Sequence, residues 1–176
     1  GLSMGGMTAM RFAQFAPARV AGLMLLDTRA GAEPPMSRLK YRLMARIYRR
    51  FGLIQAIDDQ VMALMFGRDF LRDRPDVVEI HRQRILEHDP AQIFQAVRAV
   101  ANRRDFSPAL PALNTPTLVL VGDQDLATPP NCSRRLKQLI PGACLEIVGG
   151  AGHLSVVEMP DVVLDHIVSF LDRVYA

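Results

Sequence analysis

The sequence predicts an α/β fold in which parallel strands with flanking helices are interrupted by a helical insertion. Two observations carry this. At both ends of the chain, short apolar runs of strand length alternate with segments of helical periodicity, a rhythm that implies parallel strands joined by right-handed crossovers. Between these ends, residues 31–105 hold no strand-like run. The 176 residues suffice for one domain and a small insertion.

The chain opens on the glycine-rich GLSMGG. Met7, Met10, Phe12 and Phe15 follow at roughly helical spacing, so a helix is expected up to Pro17. Residues 20–27 form a nearly continuous apolar run, suited to a strand buried on both faces. In the insertion, Leu39, Leu43 and Ile47 form a stripe, with Met36, Met44, Tyr48 and Phe51 beside it. Further helical patterns cover 58–66, 76–87 and 90–101. The methionines Met36, Met44, Met62 and Met65 fit either a pliable apolar pocket or ordinary helix packing. After Pro116, residues 117–121 read as a strand, 131–139 as a helix and 144–148 as another strand closed by Gly149 and Gly150. The last helix is expected from Pro160, a favoured first-turn residue, to Val174. No internal repeat or low-complexity segment interrupts this order.

Composition narrows the function classes. Hydrophobic residues make up 49% and charged residues 22%, as in ordinary globular chains. The net charge is +3, but the basic residues are interleaved with acids, so no nucleic-acid partner is expected. The densest basic run, Arg38, Lys40, Arg42, Arg46, Arg49 and Arg50, reads as the solvated side of a helix. Cys132 and Cys144 do not suggest a disulfide framework. No apolar run approaches the ~20 residues of a membrane span. The chain starts at Gly1 rather than Met, so the lack of a signal segment says little; a cytoplasmic location is the expectation. Oligomeric state is not legible.

Chemistry concentrates in three loops. Gly1-Leu2-Ser3-Met4-Gly5 fits G-x-S-x-G, a sharp strand-to-helix turn that exposes a serine hydroxyl. Glycines two before and two after would relieve crowding there. The turn would set the Met4 N–H beside Ser3 as a donor to a developing oxyanion, with the helix N-terminus adding favourable field. The five residues alone also fit a glycine-rich loop capping a helix. His153 lies in a glycine-rich loop after a strand. Asp125 follows a strand at the sheet's carboxyl edge, where open α/β folds build their sites. Asp123, two residues earlier, fits a turn residue but remains a rival acid, and Asp27, ending the first strand, is another. His81, His88 and His166 sit in helical patterns and read as structural. No cluster has metal-ligand spacing, and no phosphate-binding glycine motif is present.

GLSMGG with its helix and VAGLMLLDT, then TLVLVGDQDLATPP at 117–130, then GGAGHLSVVEMP at 149–160 resemble the α/β-hydrolase superfamily in order and content. The resemblance covers residues 1–30 and 106–176. It implies a Ser3, Asp125 and His153 triad, with Met4 N–H in the oxyanion hole. It also implies a cap or lid at 31–105 that selects the substrate, a small ester-like substrate, and no cofactor or metal. The opening segment is most similar to the esterase, enol-lactonase and cofactor-free haloperoxidase branch, which implies cleavage of a carboxylic ester or lactone through an acyl-enzyme. A carbon–carbon bond hydrolase with the same triad and a non-catalytic binding protein of this fold stay open. Serine at the elbow argues against the haloalkane dehalogenases and epoxide hydrolases, which carry aspartate there. The superfamily has several strands before the elbow, one followed by the second oxyanion donor. The resemblance therefore implies a C-terminal portion that is inactive by itself.

Overall fold

The computed structural model describes residues 1–52 and 54–176, apart from the side chain of Ala56. Helix α1 (Met4–Phe15) leads through a 3-10 turn, Pro17–Arg19, into strand β1 (Leu23–Leu26). Five helices follow: α2 (Pro35–Phe51), α3 (Gln55–Met65), α4 (Arg68–Asp73), α5 (Pro75–Leu86) and α6 (Pro90–Asn102). A second 3-10 turn, Ser107–Ala112, precedes β2 (Thr117–Gly122), α7 (Pro130–Leu139), β3 (Cys144–Val148), α8 (Ser155–Glu158) and α9 (Pro160–Tyr175).

The strands pair in parallel in the order β1-β2-β3, with Leu25 opposite Val119 and Leu120 opposite Glu146. Strand β2 is central and every residue in it is buried, which explains its unbroken apolar run. Met10 and Ala13 of α1, with Leu136 of α7, pack with Leu25 and Val119. Val163 of α9 packs with Leu26, Leu120 and Val148 in a separate cluster, so helices cover both sheet faces. Before α1, Leu2 bridges Leu26 in parallel. The Gly1 amino group donates to Met24 O at 2.8 Å and Leu26 N to Gly1 O at 3.0 Å. A rung of the strand expected to precede the elbow is therefore present, seated against β1.

Two expectations need correction. The first strand is shorter than 20–27: Val20 closes the 3-10 turn, and Asp27 has φ 45°, which ends extended structure. The Leu39 and Leu43 stripe faces outward, both side chains being more than half exposed. The buried face of α2 is that of Ala45 and Tyr48, because α2 packs on α6. The four methionines also divide. Met36 is exposed, Met62 is buried with Phe66, Phe70 and Val78, and Met44 and Met65 line a cavity over Ser3.

Candidate active site

Ser3 has φ 50° and ψ −115°, in the left-handed half of backbone space that costs a non-glycine residue of order 1–3 kcal/mol. Hydrogen bonds pin it there. Its N–H donates to Leu26 O at 2.9 Å, and its carbonyl accepts from Met7 N and, at 2.6 Å, from Thr28 Oγ1. A Cβ on Gly1 would lie 2.5 Å from Gly5 C, and one on Gly6 would lie 2.7 Å from Thr28 Cγ2. A Cβ on Gly5 would meet nothing within 4 Å among the described residues. The expectation that Gly1 and Gly5 together relieve the turn is therefore half right: Gly1 and Gly6 do so. Met4 opens α1, so its N–H has no preceding helical turn to donate to.

The elbow, the loop after β2 and the loop after β3 meet at the sheet's carboxyl edge. His153 Nε2 lies 2.8 Å from Ser3 Oγ, and His153 Nδ1 lies 2.9 Å from Asp125 Oδ2. Both His153 and Asp125 are buried. An Nδ1–H donated to Asp125 leaves the Nε2 lone pair facing the Ser3 hydroxyl. Asp125 is itself fixed: Oδ1 accepts from the Ala127 and Thr128 amides, each at 2.8 Å, and Oδ2 accepts from Thr128 Oγ1 at 2.7 Å. Burial opposes its ionisation. The hydrogen bond and charge of His153, with the Thr128 amide and hydroxyl, nevertheless hold its carboxyl below the usual range.

The rival acids sit elsewhere in the network. Asp123 is exposed, and its Oδ1 accepts the Gly150 amide at 2.8 Å in a turn contact. Asp27 is fully buried; Oδ1 accepts from Gly122 N at 3.0 Å, and Oδ2 from Ser155 Oγ at 2.6 Å and Ser155 N at 3.3 Å. Burial pushes the Asp27 carboxyl up to about 7, with the Asp125 charge adding to it, against the Ser155 and Gly122 hydrogen bonds and the charge of His153. Of the remaining histidines, His81 contacts Val77 O and stands edge-on to Phe66, His88 is exposed, and His166 Nδ1 lies 3.7 Å from Glu146 Oε2.

Two groups escaped sequence reasoning. Glu158 is buried, and its carboxylate accepts from Gly67 N at 2.8 Å, from Leu154 N at 3.3 Å and from the Gly152 amide. It thus ties the α3–α4 junction to the amides on both sides of His153. Burial raises its carboxyl, while those three amides act the other way. A Cβ on Gly152 would fall against Gly67 N and Phe66 C, so the two backbones touch. Glu33 forms the second tie, paired with Arg103 at 2.9 Å and Arg29 at 3.7 Å, where the chain leaves and re-enters the sheet domain. A glutamate within helical reach of the His153 loop was visible in GHLSVVE, but its distant partner Gly67 was not.

A cavity of about 480 Å³ lies over Ser3 and His153, walled by Met4, Met7 and side chains of α2, α3, α5 and α6. Among the described residues, no group of three His, Cys, Asp or Glu side chains is placed to hold a metal ion, and no helix is long and apolar enough to cross a membrane.

Known proteins share this fold. The chain is similar to a thermophilic esterase from Thermogutta terrifontis, with a TM-score of 0.90 and 36% identity over 100% of this chain and 64% of that one. It is similar to the enol-lactonase from Burkholderia xenovorans LB400, with a TM-score of 0.87 and 30% identity over 98% and 64% of the two chains. These likenesses establish the α/β-hydrolase fold. The chain is also 30% identical to Protein NDRG1-A of Xenopus laevis over 136 residues, 72% of this chain and 32% of that protein. It thus spans about a third of that relative and less than two thirds of either solved structure. Residues 1–172 match the Ndr family, and the chain belongs to it.

Proposed function

We propose that the protein carrying this chain is a serine hydrolase that cleaves a small carboxylic ester or lactone. The observation that carries the proposal is the unbroken hydrogen-bond chain from Ser3 Oγ through His153 to Asp125. In this reading His153 Nε2 takes the Ser3 proton as Oγ attacks the carbonyl carbon. Asp125 keeps the ring in its tautomer and stabilises the imidazolium. The Met4 N–H donates to the oxyanion, and the α1 N-terminus adds favourable field. His153 then protonates the departing alkoxide, leaving an ester on Ser3. Water, deprotonated by the same nitrogen, releases the acid and restores Ser3. Likeness to an esterase and to an enol-lactonase supports this chemistry. Residues 31–105 act as the lid that selects the substrate, anchored through Glu158 and Glu33.

A fluorophosphonate probe tests the nucleophile. Ser3 should be labelled, and Ser3→Ala should lose both labelling and turnover, the latter by ~10⁴-fold or more. Persistent labelling of the alanine variant at another serine would remove Ser3 from the role.

A further inference from the structure

The cavity over Ser3 has a composition and a direction. Apart from Ser3, Thr128 and His153, its polar lining consists of Glu33, Tyr41 and Tyr48, and the remaining lining side chains are apolar. No lysine or arginine lines it among the described residues. Glu33 is committed to Arg29 and Arg103, so those cations are engaged as well. An anionic group entering this space would lose its water and find no countercharge.

The direction follows from α2. Tyr41 lies in the first half of α2, just after the junction where Glu33 pairs with Arg103, and feels the charges of Glu33, Arg103 and Asp125, whereas Tyr48 further along the helix feels Asp89. Tyr48 is buried, and its hydroxyl donates a long hydrogen bond to Ile85 O at 3.4 Å; Ile85 also lines the cavity. Seven residues separate the two tyrosines, two helical turns or about 10 Å. Their faces coincide, so the cavity extends along α2 away from Ser3, with Tyr48 and Ile85 at its far end. With carbon–carbon bonds of about 1.5 Å in a zigzag, an extended aliphatic chain of about eight carbons spans a comparable length.

From this we infer the substrate class of the proposed hydrolase: esters of neutral, medium-length aliphatic acids, whose chain lies between α2 and α6 and ends at Tyr48. The inference rests on Ser3 acting as the nucleophile. The chain is assigned to the acyl side because the acyl group takes part in both half-reactions, becoming bonded to Ser3 in the first and released from it in the second. Binding along the cavity can then assist acylation and deacylation, whereas the alcohol departs after the first.

The test uses p-nitrophenyl esters from acetate to dodecanoate, turned over by the protein that carries this chain. Each methylene buried in the cavity should raise kcat/KM by up to about fourfold, with a maximum near octanoate and a decline beyond it. The p-nitrophenyl monoester of suberic acid has the octanoate length but ends in a carboxylate, and should fall at least ~100-fold below octanoate. Val97→Phe, which fills the cavity from α6, should lower the octanoate-to-butyrate ratio at least ~10-fold. A flat or acetate-favouring profile, or a suberate monoester as good as octanoate, would overturn the inference while leaving a Ser3 hydrolase intact. Absence of turnover and of Ser3 labelling would instead remove the hydrolase reading. The cavity is tested without catalysis in Ser3→Ala, where calorimetry should detect binding of octanamide and none of acetamide. Equal binding of the two amides, or of neither, overturns the inference on its own.

Discussion

Replacing Asp27 by Asn distinguishes a buried strut from a catalytic acid. Burial lifts the Asp27 carboxyl from the ordinary 3.8 to about 7. Between those two values the native state holds a proton that the unfolded chain has released, so stability falls as pH rises across this window. The sign is opposite to that of Asp125. Its carboxyl is held below the ordinary range, so its contribution is present above that range and is lost in acid. At about 1.4 kcal/mol per pH unit, the Asp27 effect reaches at most about 4 kcal/mol, an upper bound because relaxation and water entry reduce it. Asn resembles the protonated acid: its carbonyl can take the Gly122 amide and its Nδ2 can donate to Ser155 Oγ, while the Ser155 amide loses its acceptor at a cost that does not change with pH. Urea unfolding of both proteins in steps from about pH 4 to pH 8 reads the effect. The stability difference should grow in favour of Asp27→Asn as pH rises toward 7 and then level off. A difference constant with pH would refute the argument. At about pH 8 the same variant should keep turnover within about tenfold, whereas Asp125→Asn should lower it ~10³- to 10⁴-fold. The reverse ranking would move the catalytic acid to the end of β1.

Three further substitutions test the packing around the site. Gly5→Ala should be neutral or stabilising by up to about 1 kcal/mol, because it lies in a helix and its Cβ would meet nothing within 4 Å among the described residues. Gly6→Ala should destabilise the protein and suppress Ser3 labelling, because its Cβ would press on Thr28 and Gly1. Thermal unfolding and probe labelling check both, and equal effects at the two positions would contradict the assignment of the close approach to Gly6. Glu158→Gln leaves one amide facing an N–H, and should cost about 1–3 kcal/mol and speed hydrogen exchange at Gly67, whereas Leu154 N also donates to Met65 O at 3.0 Å and should stay protected. Unchanged protection at Gly67 would show that the carboxylate does not hold the α3–α4 junction to the His153 loop.

Much of the fold was legible because it depends on local chemistry. The unbroken apolar run of β2 could only be a strand covered on both faces, and Pro160 could only open a helix, not sit within one. The length of β1 was overestimated because its first apolar residues close a 3-10 turn, which hydrophobicity does not distinguish from a strand. In α2 the periodicity was real, but it offered two apolar faces. Packing on α6 chose Ala45 and Tyr48 over Leu39 and Leu43, and only the neighbour's position carries that choice.

The candidate site divides along the same line. By itself the sequence determined a serine on a glycine turn, carboxylates after two strand ends and a histidine in a third loop, since each needs only its own neighbours in the chain. The family resemblance implied Asp125 as the acid, but the residues by themselves left Asp27 and Asp123 open, and the contact with the imidazole exists only in the tertiary structure. Asp27 and Asp125 both end strands in sequence, yet Asp125 lies 2.9 Å from His153 while Asp27 is spent on Gly122 and Ser155. Tertiary structure alone also joined Glu158 to Gly67, 91 residues away, and walled a cavity with side chains from five helices. The reason is physical: a hydrogen bond is decided within a few tenths of an ångström, and such distances between separate loops exist only once the sheet and its helices have packed.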